Sequence, residues 1–305
     1  MITVWTGSAN TWDCDEMGHM NVRVYVEKAM EGLAVLSHHI DMPHAFREIT
    51  PSTLLPVDQH IRFMREVLPG RPLSMTAGIL EVGETDAVVF QLLSHGSGAP
   101  AAAFRTRIVH AEAVTGRPFS WSARSAEALR SMIVETPADC APRSIDPDGP
   151  IEPYATEAHV ITANAPCIGR GAVPQSHCDA HGRMRAEWFM GRISDGVPNL
   201  LYDWRRKVAD AAGGRRMGAA VLEYRLRYRK WPKAGDLFET YSSLRTAGEK
   251  HHSLVHWILD PASGHAWLTS EAVAVTFDLD TRKVIQTPPQ LIEELEALAP
   301  RGLAI

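Results

Sequence analysis

The sequence has few cysteines, no long apolar run and no excess of positive charge. Its four cysteines form no CxxC pair, which favours reduced thiols over a disulfide framework. No segment approaches the roughly 18 apolar residues of a membrane span. The formal net charge of −5 argues against nucleic-acid binding. The N-terminal residues have no export signal, so we expect a cytoplasmic protein without a membrane partner.

An internal repeat is the most informative feature that is present. The cysteine, aspartate, glycine and methionine at positions 14, 15, 18 and 20 recur at positions 178, 179, 182 and 184. The second copy begins 164 residues after the first (178 − 14), about half of the 305 residues, which predicts one small fold used twice. We therefore expect an N-terminal domain at 1–136, a proline-rich linker at 137–153 and a C-terminal domain at 154–305.

The predicted elements run in the same order in both halves. A strand precedes the Asp15 loop, and an apolar stripe at helical spacing with Asn21 as N-cap predicts a helix over about 22–40. The remaining predicted elements of the first half are strands near 57–67, 72–83, 86–95 and 101–114, and a helix over 122–134. In the second half they are a strand near 156–163, a helix over 186–208, strands near 219–231, 236–247, 250–260 and 265–278, and a helix over 289–298. One long helix followed by four strands predicts an α+β fold with a curved antiparallel sheet around the helix.

The first motif resembles the signature of the hotdog-fold acyl-CoA thioesterases, particularly the 4-hydroxybenzoyl-CoA thioesterase-like group. That signature is an aspartate, two residues, Gly-His, a hydrophobic residue, asparagine and then a helix with a tyrosine, which matches Asp15, Gly18, His19, Met20, Asn21 and Tyr25. The resemblance covers essentially the whole chain and implies a tandem (double) hotdog whose halves pack as a pseudo-dimer. It also implies hydrolysis of an acyl-CoA to a free acid and coenzyme A, with no metal and no further cofactor. Homo-oligomerisation remains open.

The resemblance implies that Asp15 is a general base or a nucleophile, and the sequence does not choose between them. His19 would orient the thioester or assist proton transfer, and Gly18 would let the backbone approach the ligand. Asn21 is more typical of a cap and Tyr25 of a core residue. Free amides at the start of the helix could bind the carbonyl oxygen as it becomes negative.

The second copy departs from the pattern, since it keeps Asp179 and Gly182 but has arginine at position 183. His181 is a candidate replacement for the missing imidazole, although a working second site is doubtful. The second long helix offers Glu187 or Asp195 as polar contributors to the first site.

Five arginines are candidate contacts for the phosphates of coenzyme A: Arg62, Arg65, Arg225, Arg227 and Arg229. The last three alternate with apolar residues, so an outward-facing solvated strand face is the competing interpretation. Cys14 could be a nucleophile, but a small residue near the loop is the simpler interpretation. A hotdog hydratase or dehydratase and a non-catalytic acyl-thioester-binding protein are the competing functions.

Overall fold

A computed structural model describes residues 1–152, 155–211, 213, 216–298 and 305. The chain divides into two compact units, one containing Met1–Pro142 with Pro174–Met190 and the other containing Arg143–Val173 with Gly191–Ile305. The second copy of the motif therefore belongs to the first unit. The predicted limits of the halves remain a prediction, and the end of the linker at 153–154 lies outside the described residues.

The first unit contains one antiparallel sheet in the order β1-β3-β4-β5-β2. Its elements are β1 (Ile2–Ser8), α1 (Val22–His39), β2 (Ser52–Phe63), β3 (Pro72–Val82), β4 (Asp86–His95), β5 (Pro100–Glu112) and α2 (Ala123–Ser131). The predicted helix at 22–40 and the four strands after it are confirmed. The bounds of β2 lie about five residues earlier than predicted, because Pro56 is accommodated at a register shift in the pairing with β5.

Helix α1 packs against β1 and β3. It approaches the sheet closely at Gly32, where an added Cβ would lie 2.8 Å from Gln91 Nε2 and 3.0 Å from Met75 Sδ. The Gln91 amide donates to Ala29 O at 2.8 Å, so the buried polar group on the sheet is satisfied by the helix. The predicted cap is confirmed, because Asn21 Oδ1 accepts from the backbone amide of Arg23 at 2.9 Å.

The second unit repeats the arrangement with the strand order β7-β10-β9-β8-β6. Its elements are α3 (Glu157–Thr162), β6 (Cys167–Ala172), β7 (Met217–Tyr228), β8 (Leu237–Ala247), β9 (His252–Leu259), β10 (Ala266–Asp278) and α5 (Pro289–Leu298). The long helix α4 (Ala186–Ala211) begins in the first unit and continues into the second. No helix in the described part of the chain is both long and apolar enough to cross a bilayer.

The strand predicted near 156–163 is wrong, because these residues form α3. Thr156 caps this short helix together with His159, whose Nδ1 accepts from the backbone amide of Thr156 at 3.1 Å. Val160 then packs into an apolar cluster with Trp257 of β9. The first strand of the unit is β6, which begins just after Pro166.

The proline-rich connector is anchored on β7 of the second unit. The backbone amides of residues 143–145 donate to the Glu223 carboxylate at 2.8–2.9 Å. The Arg225 guanidinium donates to Asp146 O and Gly149 O, each at 3.1 Å. The interpretation of these arginines as a solvated strand face is therefore wrong at Arg225, because the connector covers it and leaves it 3% exposed.

Candidate active site

The loop before α1 is closed by its own backbone. The amide of Asp15 donates to His19 O and the amide of Gly18 donates to Asp15 O, both at 3.0 Å. Gly18 has a φ of +78°, which glycine adopts without the steric cost that a side chain would add. The amide of Asn21 donates to Asp13 O at 2.9 Å. These bonds hold the Asp15 carboxylate next to the start of the helix.

The second copy repeats this backbone conformation. The amide of Asp179 donates to Arg183 O at 2.7 Å, and the amide of Gly182 donates to Asp179 O at 3.0 Å. Gly182 has a φ of +74°, and the amide of Arg185 donates to His177 O at 2.9 Å. The repeat in the sequence is therefore a repeat of loop geometry.

One carboxylate oxygen has the same structural role in both loops. Asp15 Oδ1 accepts from the amide of Met17 at 2.9 Å, and Asp179 Oδ1 accepts from the amide of His181 at 2.8 Å. Such a bond to the backbone two residues on is the usual turn-forming contact of aspartate. This bond stabilises the turn and does not by itself indicate catalysis.

The other carboxylate oxygen distinguishes the two loops. Asp15 Oδ2 lies 3.4 Å from His19 Nδ1. Asp179 Oδ2 instead accepts from Arg183 Nε at 3.1 Å, and Arg183 Nη1 donates to Ala113 O at 3.1 Å. Arg183 is buried, so the second carboxylate is tied to a fixed cation. In the first loop the partner of the carboxylate is an imidazole and not a fixed cation.

The environment of Asp15 favours a proton acceptor. Burial raises the pKa of the Asp15 carboxyl, and this effect outweighs the lowering by His19 and by the Met17 amide. The Asp15 side chain is 18% exposed, whereas that of Asp179 is 33% exposed. His19 Nε2 is buried and has no hydrogen-bond partner among the described residues. The pair therefore combines a partly desolvated carboxyl with a buried imidazole nitrogen that has no protein partner in the described part of the chain.

The connection after β2 forms a neighbouring wall that sequence reasoning missed. Val67 O accepts from the amide of Met20 at 2.8 Å. The Tyr25 ring packs edge-on against Phe63 with centroids 5.1 Å apart, and burial raises the pKa of the Tyr25 phenol. Tyr25 is thus a packed residue beside the loop. Val67 gave no signal in the sequence, because only the fold brings it to the motif.

The surroundings of Cys14 disfavour a thiolate. Burial raises the pKa of the Cys14 thiol, and the charges of Asp15 and Asp13 raise it further. The Cys14 thiol donates to Asn10 O at 3.3 Å. Cys14 therefore has the features of a structural residue.

Of the two acidic residues predicted on α4, Glu187 shares the first unit with Asp15. Glu187 is 3% exposed and lies 3.1 Å from Arg185 Nε, and burial raises the pKa of its carboxyl. Asp195 has an exposed side chain 3.8 Å from Arg192.

The candidate phosphate-binding arginines have different environments. In the first unit Arg65 is exposed, whereas Arg62 donates to Ala141 O at 2.6 Å. In the second unit Arg225 is covered by the connector, Arg227 is half-buried and Arg229 Nε donates to Thr269 Oγ1 at 3.0 Å. Across the described residues, no group of three or more His, Cys, Asp or Glu side chains could hold a metal ion.

A family model described as the thioesterase-like superfamily matches residues 9–129 and 173–295, once for each copy. No curated protein matches the sequence. Similar solved structures include an acyl-ACP thioesterase from Bacteroides thetaiotaomicron, with 12% identity, a TM-score of 0.65, and coverage of 88% of this chain and 96% of that chain. Another is the 12:0-ACP thioesterase from Umbellularia californica, with 10% identity, a TM-score of 0.64, and coverage of 88% of this chain and 92% of that chain.

The predicted tandem hotdog fold is confirmed. The chain belongs to the thioesterase-like superfamily and is a thioester hydrolase with two hotdog units.

Proposed function

We propose that the protein hydrolyses an acyl-CoA thioester to a free acid and coenzyme A, and that Asp15 of the first copy carries the chemistry. The observation that carries the proposal is the difference between two otherwise matching loops. Asp15 is partly desolvated and faces the imidazole of His19, whereas Asp179 is tied to the buried guanidinium of Arg183. A carboxylate beside an imidazole can accept a proton or attack, whereas a permanent cation at 3.1 Å lowers the reactivity of its partner.

Two routes are consistent with this geometry. Asp15 as base removes a proton from a water that attacks the thioester carbonyl, and the tetrahedral intermediate expels the thiolate. Asp15 as nucleophile attacks the carbonyl itself, expels the thiolate and leaves an acyl anhydride that water hydrolyses. In either route His19 Nε2, which has no protein partner among the described residues, can donate to the carbonyl oxygen or to the departing sulfur.

The start of α1 offers a donor for the developing oxyanion. The cap occupies two first-turn amides, since Asn21 Oδ1 accepts from Arg23 N and Asn21 O accepts from Val24 N, both at 2.9 Å. The amide of Val22 has no acceptor within the described part of the chain. It lies at the positive end of the helix dipole. One such donor is worth about 3–4 kcal/mol in known oxyanion holes.

The competing proposal closest to this one differs only in the carrier of the acyl group. Two fold neighbours are described as thioesterases of acyl-ACP, so an acyl carrier protein is the competing carrier. The sequence alone also left open a hydratase or dehydratase on the same fold and a non-catalytic acyl-thioester binder. A saturated acyl-CoA distinguishes these functions, because a hydratase cannot turn it over and a binder releases no thiol.

Thiol release from a panel of saturated acyl-CoA thioesters, compared among the wild type, Asp15→Asn and Asp179→Asn, tests the proposal. We expect Asp15→Asn to lower kcat by about 10²–10⁴-fold, the range for loss of a positioned acid or base. Asp179→Asn is the matched control, because it changes the same atom in the same loop conformation, and we expect kcat to stay near the wild-type value. Full turnover by Asp15→Asn contradicts the assignment, and equal losses in both variants would mean that both copies act.

A single turnover in ¹⁸O-labelled water tests the nucleophile route. If Asp15 is the nucleophile, hydrolysis of the anhydride places the label in the Asp15 side chain or in the released acid, depending on which carbonyl the water attacks. If Asp15 is the base, all of the label enters the acid. Label found by mass spectrometry in the peptide that contains Asp15 would therefore establish Asp15 as the nucleophile.

A further inference from the structure

Two backbone segments of the first unit bring three basic residues together. The amides of Met64 and Arg65 both donate to Ala101 O, at 2.9 and 3.2 Å, where the connection after β2 begins. The amide of His95 donates to Ala99 O across the β4–β5 turn, and the amide of Gly96 donates to Pro72 O, each at 2.9 Å. Arg71 directly precedes Pro72, so Arg65, Arg71 and His95 surround the same end of the sheet.

These three residues form a basic cluster. Arg65 and Arg71 are exposed, and neither has an acidic partner within 4.0 Å in the described part of the chain. Burial lowers the pKa of His95, and the positive charges of Arg65 and Arg71 lower it further, in agreement with their position at the same end of the sheet. Glu66 lies between them in sequence, and its charge acts on the buried phenol of Tyr25. Two exposed guanidinium groups without an acidic partner, next to an imidazole, are suited to an anionic ligand.

The second unit contains the same backbone arrangement. The amides of Arg229 and Lys230 both donate to Trp267 O, at 2.8 and 3.2 Å, and the amide of Asp260 donates to His265 O at 3.0 Å. Lys230 and Asp260 therefore correspond to Arg65 and His95. Just before the next strand, the amides of Gly70 and Gly235 donate to Ala9 O and Val173 O, so Asp236 corresponds to Arg71.

An open cleft of about 720 Å³ lies at these positions in the second unit, lined by Lys230, Trp231, Asp236, Asp260 and Trp267 among others. Two of its three matched charged positions are carboxylates, where the first unit has Arg71 and His95. The two copies thus share a surface arrangement but differ in charge at two of its three matched positions. An anion that binds at the first position would be repelled at the second.

The basic cluster is physically joined to the candidate active site. Val67 lies between Arg65 and Arg71 in the same connection, and Val67 O accepts from the amide of Met20 in the motif loop at 2.8 Å. A substrate whose thioester lies at Asp15 would therefore have its carrier close to these cations.

We propose that Arg65, Arg71 and His95 form the subsite for the phosphates of the coenzyme A nucleotide, and that the Lys230–Asp236–Asp260 cleft does not bind them. This inference rests on the proposed function, since it names the carrier recognised beside the same site. Guanidinium groups bind phosphate oxygens with paired, charge-assisted hydrogen bonds, which suits two exposed arginines. An acyl carrier protein would present one phosphate on its phosphopantetheine arm, so the number of phosphates recognised distinguishes the two sources.

The test compares the double variant Arg65→Gln/Arg71→Gln with Lys230→Gln, a matched change in the other cleft. Each protein is assayed with an acyl-CoA, the corresponding acyl-dephospho-CoA, the acyl-N-acetylcysteamine thioester and acyl-ACP. We expect the double variant to raise KM for acyl-CoA by about 10- to 100-fold, the loss of one to two charged hydrogen bonds, with kcat retained. The N-acetylcysteamine thioester has no phosphate, so its KM should not change, and Lys230→Gln should leave every KM unchanged.

Calorimetric binding of free coenzyme A separates failure of this inference from failure of the proposed function, because it requires no turnover. We expect the wild type to bind coenzyme A more tightly than dephospho-coenzyme A, and the double variant to lose this preference. Equal binding by the wild type and the double variant, or no binding by the wild type, overturns the inference. So would a KM increase confined to acyl-ACP. If the wild type releases no thiol from any of the four thioesters, the proposed function itself is wrong.

Discussion

His256 in β9 should make the stability of the second unit strongly dependent on pH. Its side chain is completely buried, and its Nδ1 shares a 2.8 Å hydrogen bond with Ser242 Oγ. Burial lowers the pKa of His256 to about 3. The unfolded chain would titrate near 6.5, so below that pH the unfolded state binds a proton that the folded state does not. The free energy of unfolding should therefore fall by about 1.4 kcal/mol for each pH unit between 6.5 and 3.

The expected total is large, about 4–5 kcal/mol by pH 3, against a typical domain stability of about 5–15 kcal/mol. Denaturant unfolding at a series of pH values from about 7 to 4.5 measures the slope. His256→Gln should reduce the slope by about 1.4 kcal/mol per pH unit, whereas His251→Gln, a change at an exposed position, should keep the wild-type slope.

An unchanged slope in His256→Gln would refute the reasoning. If that variant does not fold, the wild-type His256 ring can be followed by NMR instead. Its chemical shifts should show no titration as long as the protein is folded, and a midpoint near 6.5 would contradict the predicted effect of burial.

Three further predictions concern the motif loops. Gly18→Ala and Gly182→Ala should each lower the free energy of unfolding, measured by thermal unfolding, by about 1–2 kcal/mol, because both positions have positive φ. An added Cβ meets no atom within 4 Å at either position, so no steric clash adds to this cost. Only Gly18→Ala should also lower kcat. Cys14→Ser should retain kcat, and its loss would restore the thiol as a nucleophile. Since burial raises the pKa of Asp15, kcat/KM should rise with pH through a midpoint above the ordinary aspartate value near 4. Asp179→Asn should show the same rise. If the rise persists in Asp15→Asn, another group is responsible for it.

Elements with a strong local pattern could be predicted from the sequence. The glycine-containing turns on either side of the apolar run of β4 predicted its bounds, Asp86–His95, and the apolar stripe with its asparagine cap predicted α1 to within a residue. The helix α3 could not be predicted in the same way. Its six residues carry little periodicity, and they are helical because Thr156 and His159 cap them and because Val160 packs on Trp257, a residue distant in sequence.

Some residues of the candidate site could be predicted from a single segment of sequence, whereas others are brought together only by the fold. The motif predicted Asp15 and His19 as site residues and Asn21 as the cap from the sequence, because the loop, its glycine and the start of the helix are contiguous in the chain. The burial of Arg225 depends on where the connector folds, and the grouping of Arg71 with His95 depends on the register of β3 and β4. Neither property can be read from a spacing within one segment. The internal repeat does relate residues that are far apart in sequence, because an alignment of its two copies pairs each position of one copy with a position of the other.

The comparison of the two loops shows how a duplicated fold can keep its structure and differ in its chemistry. In both copies the turn is closed by backbone bonds, by a glycine with positive φ and by one carboxylate oxygen, none of which needs the side chain at positions 19 and 183. That side chain determines the partner of the second carboxylate oxygen. An imidazole exchanges protons near neutral pH, whereas an arginine remains charged and here also binds Ala113 O. A difference at this one position therefore replaces the imidazole beside the carboxylate by a fixed cation while the loop conformation stays the same.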